Sequence, residues 1–166
     1  MLSRTMPQEP FRAFQDTTDF LGAFGLHETP AGVLLVANRR VIDGQPTVVW
    51  DLPGGRVEAG ETLPETLRRE WMEECAVAIE VREMLFVSEG ERMLDGARAA
   101  VWRSFFFRVD GPTEGIDHSA EPDILDHRFV PRAELPPLLT APYHRGFLAW
   151  LASDGELRYV SDSWAD

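Results

Sequence analysis

Apolar and polar positions follow two periods along the chain, and the shorter of the two predicts strands. Short apolar or alternating runs, rich in aromatic and β-branched residues, occur six times and are separated by Gly, Pro and Asp. These runs cover residues 19–28, 33–38, 47–52, 78–90, 99–111 and 124–131. A Thr-Pro-Ala-Gly turn signal at residues 29–32 separates the first two runs, so we expect them to pair as a hairpin.

The longer period places apolar residues four apart and predicts a helix over residues 63–75. Its apolar stripe is formed by Leu63, Leu67, Trp71 and Cys75. Thr62 is a favourable N-cap, and Glu65 three positions later completes a capping box. Pro64 falls in the first turn, where a missing N–H costs nothing.

A second helix is predicted near residues 143–153 and ends before Gly155. Strands on both sides of one central helix, with another helix at the end, predict an α+β fold in which a mixed β-sheet is sandwiched between helices. Residues 1–18 show no clear period and are interpreted as an N-terminal extension. Residues 19–166 then form a single domain, as a chain of 166 residues suggests.

Composition narrows the partners and the compartment. A net charge of −12 argues against sequence-independent binding to the phosphate backbone of nucleic acid. It also argues against binding to an anionic membrane. The chain has no apolar run of membrane-spanning length and no signal-peptide pattern at its start. A single cysteine, Cys75, excludes an internal disulfide. We therefore expect a cytoplasmic protein that needs a cation or local arginines to hold an anionic substrate.

Three carboxylates crowd the predicted central helix. Glu70, Glu73 and Glu74 fall within an arc of about 100° that borders the apolar stripe instead of lying opposite to it. Such carboxylates repel one another and are partly desolvated, and a divalent cation such as Mg²⁺ would relieve both effects. A solvated acidic face with arginine partners is the alternative. The glycines Gly54 and Gly55, which follow a strand, favour the metal site because a turn carbonyl there could add one more oxygen ligand.

The segment GRVEAGETLPETLRREWMEECAV, residues 55–77, resembles the Nudix box. That pattern is Gly, five residues, Glu, seven residues, Arg-Glu, an apolar residue, any residue, Glu-Glu, any residue, Gly and an apolar residue. The matching positions are Gly55, Glu61, Arg69, Glu70, Trp71, Glu73, Glu74 and Val77. Trp71 is bulkier than the usual aliphatic residue, and Ala76 stands where the pattern has its last Gly. With the flanking strands, the resemblance covers about residues 19–153.

The resemblance implies a Mg²⁺- or Mn²⁺-dependent pyrophosphohydrolase that cleaves a nucleoside diphosphate linked to a further group X. The implied metal ligands are Glu70, Glu73, Glu74 and the carbonyl of Gly55. Arg69 is expected to orient the glutamates through charge-assisted hydrogen bonds. Glu61 is expected to have a similar orienting role near the loop and to be a substrate-binding residue.

A general base must complete such a site. In the family it is a glutamate of the box or an acidic residue on a later loop. The later loop of this chain offers Glu114, Asp117, Glu121, Asp123 and Asp126. The resemblance favours Glu121, because it lies just ahead of the strand 124–130, where the family often carries such a residue. A solvated acidic loop is the alternative for each of these residues.

Other side chains could contact the nucleotide. Arginines 39, 40, 56 and 103 could contact terminal phosphates, and a solvated surface position is the alternative for each; among them we name Arg56 as a substrate-binding residue. Phe24, Trp50 and Trp102 could stack on a base, although aromatic residues on strands more often belong to the core.

Three functions stay open at this point. The first is the hydrolase, acting on a (deoxy)nucleoside triphosphate or a nucleotide sugar; the short chain favours the triphosphate. The second is a non-catalytic Nudix-like module that binds a nucleotide or a partner, but no glutamate of the box is lost. The third is an isomerase on a diphosphate scaffold, which needs a nucleophilic Cys outside the box helix, whereas Cys75 lies within it. The resemblance makes a homodimer a reasonable expectation.

Overall fold

Eleven helices and strands make up the part of the chain that the computed structural model describes, residues 18–42 and 45–165. The strands are β1 Phe20–Leu26, β2 Glu28–Thr29, β3 Gly32–Ile42, β4 Gln45–Asp51, β5 Gly54–Arg56, β6 Glu80–Leu94, β7 Ala97–Asp110, β8 Ile124–Val130 and β9 Tyr159–Ala165. The helices are α1 Leu63–Cys75 and α2 Arg145–Ala152, with short 3-10 turns at Arg132–Glu134 and Pro142–His144. The predicted N-terminal extension, apart from Thr18, lies outside the described residues.

The strands form two sheets. The larger sheet is mixed, with the order β5-β1-β7-β6-β9, and its β1–β7 and β6–β9 pairs are parallel. The smaller sheet is antiparallel: β3 pairs with β8 over Val33–Asn38, with β4 over Val36–Ile42 and with the short β2 at its first two residues. The α+β class is thus confirmed, but the strand pattern alone did not separate two sheets.

Both faces of the sheet layer are buried, and strand β3 shows why. Its alternate residues Leu34 and Val36 enter an apolar cluster with Leu67 and Trp71 of α1, which we call the α1 core. The residues between them, Val33 and Leu35, enter a second cluster with Phe147 and Trp150 of α2, the α2 core. Because successive strand residues point to opposite faces, an uninterrupted apolar run such as 33–37 supplies both cores. The sheets therefore lie between the two helices.

The predicted hairpin between the first two apolar runs is wrong. Strand β1 pairs with β5 and β7 in the larger sheet, whereas β3 belongs to the smaller one. Across the turn at residues 29–32, β3 pairs only with the two-residue strand β2. A local turn signal indicates where the chain reverses, but the partner of β1 is about 80 residues away in β7, and no local pattern encodes that choice.

Helix α1 has the predicted bounds and the predicted cap. The N–H of Glu65 donates to the hydroxyl of Thr62 (3.4 Å), and the N–H of Thr62 donates to the carboxylate of Glu65 (2.8 Å). The helix ends at Ala76, whose φ of 55° is left-handed. No helix of the described residues is both long and apolar enough to cross a membrane.

Strand β9 was not predicted. Its residues alternate between exposed and half-buried until Trp164, and the three at its centre, Ser161, Asp162 and Ser163, are polar. An edge strand with a polar centre has a weak hydrophobic signal. The parallel pairing with β6 is what makes this segment a strand.

Candidate active site

The first turns of α1 hold a hydrogen-bonded cluster around Arg69. Its Nε donates to Glu61 (2.7 Å), one terminal nitrogen donates to Glu70 (2.9 Å) and Glu73 (3.2 Å), and the other donates to the Arg56 carbonyl (3.0 Å). Glu61 also accepts from the Thr66 hydroxyl (2.8 Å). The Arg69 hydrogen bond is the main reason why the pKa of Glu61 falls to about 2. In return, Glu61 keeps the pKa of Arg69 well above its usual value.

Glu70 lies under the glycine turn. Its side chain is 14% exposed, and burial raises the pKa of its carboxyl although the Arg69 hydrogen bond and charge oppose that rise. A methyl group on Gly55 would overlap the Glu70 carboxylate and push it aside, and Gly54 has a φ of 147° and lies against the Ala23 backbone, where a side chain would clash. The sequence Gly-Gly therefore sets the distance between the turn and the carboxylates.

Glu74 is one turn further along α1 and faces the same turn. Its carboxylate accepts the N–H of Gly54 at 3.0 Å. Burial raises the pKa of Glu74 well above its ordinary value, and the negative charges of Glu70 and Asp51 raise it further. Glu73, by contrast, is half exposed and faces Arg69. Two desolvated carboxyls and one solvated carboxylate thus border the β5 turn.

The donor set suits a hard divalent cation, although the side chains as they lie do not enclose one. Among the described residues, no three Asp, Glu, His or Cys side chains are gathered in a way that could hold a metal ion. Arg69 draws Glu70 and Glu73 towards itself, while Glu74 turns to Gly54. A cation would relieve the desolvated like charges of Glu70 and Glu74, so the chemistry fits once these side chains rotate. The metal ligands therefore stay a prediction.

The loop that carries Glu121 lies against the end of α1, because the N–H of Asp117 donates to the Cys75 carbonyl at 2.9 Å. The Glu121 carboxylate accepts the N–H of Asp123 at 3.4 Å. No hydrogen bond or ion pair of the described part of the chain joins Glu121 to the three helix glutamates. The loop thus reaches the helix that carries the box, and the role of Glu121 as general base stays a prediction.

Arg56 lies at the exposed end of the turn. Its guanidinium covers the ring of Phe20 at 4.9 Å and donates to the Asp19 carbonyl at 3.3 Å. The Arg56 carbonyl is the group that binds Arg69, so its side chain is left on the outer side of β5. Contact between the Arg56 side chain and a phosphate stays a prediction.

A buried polar cluster around Asp51 was missed by the sequence reasoning. Asn38 donates to one carboxylate oxygen of Asp51 (2.9 Å), while Tyr143 (3.0 Å) and His144 (2.6 Å) bind the other. His144 lies beside the predicted second helix, and neither it nor Asp51 belongs to a motif that marks it as functional. The available signal was an acidic residue within the apolar run 47–52, three positions before Gly54.

A narrow cleft lies beside Asp51, and its roughly 300 Å³ of empty space includes the open solvent at its mouth. Its walls are mostly apolar and belong to the α2 core and its margin. They include Phe24, Leu52, Phe106, Leu139 and Phe147, with Asp51, Tyr143 and His144 at the polar side. Of the aromatic residues named as candidates, Phe24 lines this cleft. Trp102 stacks on Tyr143 nearby, and Trp50 lies under Arg128.

The comparisons with known proteins agree with this geometry. A family model described as NUDIX domain matches residues 21–151. The human protein named 8-oxo-dGDP phosphatase NUDT18 is 32% identical over 138 residues, which are 81% of this chain and 39% of that protein. The mouse protein of the same name is 36% identical over 95 residues, 55% of this chain and 27% of its own length. The chain thus spans well under half the length of these relatives.

Solved structures show the same fold at low identity. A MutT protein from Methanosarcina mazei Go1 superimposes with a TM-score of 0.64 at 18% identity, over 84% of this chain and 97% of that one. A NUDIX hydrolase from Nitrosomonas europaea gives a TM-score of 0.64 at 15% identity, over 85% and 92% of the two chains. These likenesses concern the fold.

Proposed function

Because this chain belongs to the Nudix family, we propose that it is a divalent-metal-dependent hydrolase that cleaves a phosphoanhydride bond of a nucleoside diphosphate linked to a further group. The observation that carries the proposal is the placement of Glu70 and Glu74, two desolvated carboxyls held against the Gly54-Gly55 turn. The name of the mammalian relatives, 8-oxo-dGDP phosphatase, supports a nucleoside di- or triphosphate over a nucleotide sugar.

Mg²⁺ or Mn²⁺ would be held by Glu70, Glu73, Glu74 and the Gly55 carbonyl. When bound, such an ion neutralises a diphosphate and makes a water molecule more acidic. The protein supplies the anionic oxygens and keeps them close together. The net charge of −12 is compatible with an anionic substrate because affinity for phosphate then comes from the ion.

Arg69 and Glu61 act as positioning residues in this proposal. The guanidinium of Arg69 fixes the distance between the Arg56 carbonyl and the helix, and it restrains Glu70 and Glu73 through hydrogen bonds. Glu61 holds Arg69 by two hydrogen bonds, 2.7 and 3.1 Å long, so the positive charge stays beside the cluster. Glu121 remains the proposed general base and Arg56 the proposed phosphate contact.

A matched pair of variants tests the proposal. We expect Glu74→Gln to lower kcat on the best nucleotide by about a hundredfold or more, since the amide removes an anionic ligand without changing the size of the side chain. Glu65→Gln, on the same helix but in the capping box, should keep wild-type turnover because glutamine also forms that box. Turnover is followed as released nucleoside monophosphate, phosphate and pyrophosphate.

The panel contains nucleoside di- and triphosphates and nucleotide sugars, each with Mg²⁺ and with Mn²⁺. Failure of the wild-type protein to hydrolyse any of them would overturn the hydrolase assignment and favour the binding module. Equal turnover by Glu74→Gln and the wild type would show instead that the catalytic site lies elsewhere.

A further inference from the structure

Two histidines meet where the loop between β7 and β8 lies against β8. His118 is on that loop and His127 is in β8, and their Nδ1 atoms are 2.9 Å apart. The two rings meet edge to face, with 5.1 Å between their centroids and 68° between their planes. Both residues are half-buried, so the pair lies at the surface of the protein, within reach of an ion from solution.

The distance between the two nitrogens suits a shared metal ion. Imidazole nitrogens bind transition metals at about 2.0–2.1 Å, so two of them at roughly 90–110° on one ion are about 2.8–3.4 Å apart. Without a metal, two neutral rings at 2.9 Å share a single proton, because one Nδ1 must donate to the other. With a metal, both Nδ1 atoms bind the ion and both ring protons are on Nε2.

Backbone hydrogen bonds hold both histidines in place. His127 belongs to the ladder between β8 and β3. On the loop, the N–H of Asp117 donates to the Cys75 carbonyl at 2.9 Å, and the N–H of Glu121 donates to the His118 carbonyl at 3.1 Å. A pair of ligands that is already positioned loses little conformational entropy when it binds an ion.

The charges around the pair favour a cation. The carboxylate of Asp117 accepts the N–H of Ser119 at 2.9 Å. Hydrogen bonds from Ser119 are the main reason why the pKa of Asp117 is lowered, and positive charge on His118 or His127 lowers it further. This carboxylate therefore lies close enough to both rings to attract an ion. The net charge of −12 adds attraction at longer range.

We propose that His118 and His127 form a metal site, separate from the helix glutamates, that binds a transition-metal ion of the Zn²⁺, Cu²⁺ or Ni²⁺ class through both Nδ1 atoms. The site goes beyond the proposed function and does not depend on it.

The donor atoms determine which ions the pair selects. Imidazole suits Zn²⁺, Cu²⁺ and Ni²⁺, whereas Mg²⁺ prefers oxygen ligands, so the histidine pair and the helix glutamates favour different metals. Two protein ligands leave the remaining coordination positions to water, so the bound ion exchanges with solvent. An ion on both rings also cross-links β8 to the loop that carries Glu121, since His118 and Glu121 belong to one hydrogen-bonded turn.

Side-chain ¹⁵N NMR of the wild-type protein, titrated with Zn²⁺ in excess Mg²⁺, tests the site without any variant. The chain has four histidines, and the other two, His27 and His144, are buried. We expect Zn²⁺ to convert both His118 and His127 to the form protonated on Nε2, with His27 and His144 unchanged. Zn²⁺ bound only to the helix glutamates would not produce this conversion. Unchanged rings, or a change at one ring of the pair alone, would overturn the inference.

His118→Asn and His127→Asn then test each ligand. Either variant should bind Zn²⁺ at the remaining ring at least about tenfold more weakly in the same titration, because a single imidazole cannot chelate the ion. Glu114→Gln, an exposed position on the same loop, should keep the wild-type affinity. Circular dichroism checks that the variants fold. A folded histidine variant that binds Zn²⁺ at the remaining ring as tightly as the wild type would refute shared ligation.

The histidine site and the hydrolase assignment fail in different ways. Conversion of both rings by Zn²⁺ in a protein that hydrolyses no nucleotide would support the histidine site and remove the hydrolase. Hydrolysis with Mg²⁺ in a protein whose histidine signals ignore Zn²⁺ would have the opposite meaning.

Discussion

At the scale of single residues, the site depends on one arginine shared among several carboxylates. Arg69 binds Glu61, Glu70 and Glu73, and its own pKa is raised mainly by Glu61. Charge-assisted hydrogen bonds of this kind are short and directional. They hold Glu70 and Glu73 towards Arg69 until a cation draws them away, and Glu61 keeps Arg69 in that place.

The depressed pKa of Glu61 predicts a pH-dependent contribution to stability. The pKa is about 2 in the folded protein against an ordinary value of 4.5. The stabilisation is therefore fully present above about pH 4.5, and it is lost as the pH falls from there towards 2. Glu61→Gln should lower the urea concentration at the unfolding midpoint at pH 7. The difference in this midpoint between the variant and the wild type should be smaller at pH 3.

The control for that measurement is Glu114→Gln, an exposed loop glutamate. It should leave the urea midpoint unchanged at pH 7. A Glu61→Gln deficit of the same size at pH 7 and pH 3 would mean that the Glu61–Arg69 pair contributes packing and no charge-dependent stability.

At the scale of elements, the residues of α1 specify almost the whole helix. They also place an alanine at its end, where the backbone is left-handed. The capping box at Thr62 and Glu65 starts the helix, and the stripe of Leu67, Trp71 and Cys75 is fully buried against the sheets. The helix stops at Ala76 with φ at 55°, a conformation that glycine adopts more readily than alanine. The departure from the Nudix pattern at this position thus leaves the geometry of the helix end intact.

Ala76→Gly should stabilise the protein by about 0.5–1 kcal/mol, since relief of the left-handed strain exceeds the added flexibility of the unfolded chain. Thermal or urea unfolding measures the change. Ala78→Gly is the matched control: that residue is also exposed and outside a helix, but its φ is not positive, so the substitution should destabilise slightly. Destabilisation by both substitutions would show that Ala76 is not strained.

At the scale of the whole molecule, two cores on opposite sides of the sheet layer join segments that are distant in the sequence. The larger sheet ends with β9, where Trp164 packs over Gly90 of β6 so closely that a methyl group on Gly90 would overlap the indole ring. The last strand is therefore held to its neighbour by close packing as well as by the backbone ladder.

Gly90→Ala should destabilise the protein by about 1–3 kcal/mol, because the added methyl group overpacks the contact with Trp164. A double-mutant cycle checks the cause. With Trp164→Ala already present, the same glycine substitution should cost much less, since the ring that it meets has been removed. Additive costs would show that Gly90 acts through its backbone and not through the indole.

The parts of the candidate site that could be predicted share a local origin. Glu70, Glu73, Glu74 and Arg69 lie on one helix, so the helical period was enough to place them together. Glu61 is eight residues from Arg69 and precedes the cap of the same helix. The Asp51 cluster could not be found in this way, because Asp51 and His144 are 93 residues apart and meet only when the segment at 142–152 packs on the sheets.

The sequence by itself determined the bounds of α1, its cap, its buried stripe and the crowding of three carboxylates beside that stripe, since hydrogen bonds and side-chain neighbours within a helix span only three or four positions. Tertiary structure decided which strands pair, that two sheets form, that residues 159–165 become a strand, and which donors surround Asp51. These outcomes depend on burying both faces of the sheet layer at once, and no short window of sequence contains that condition.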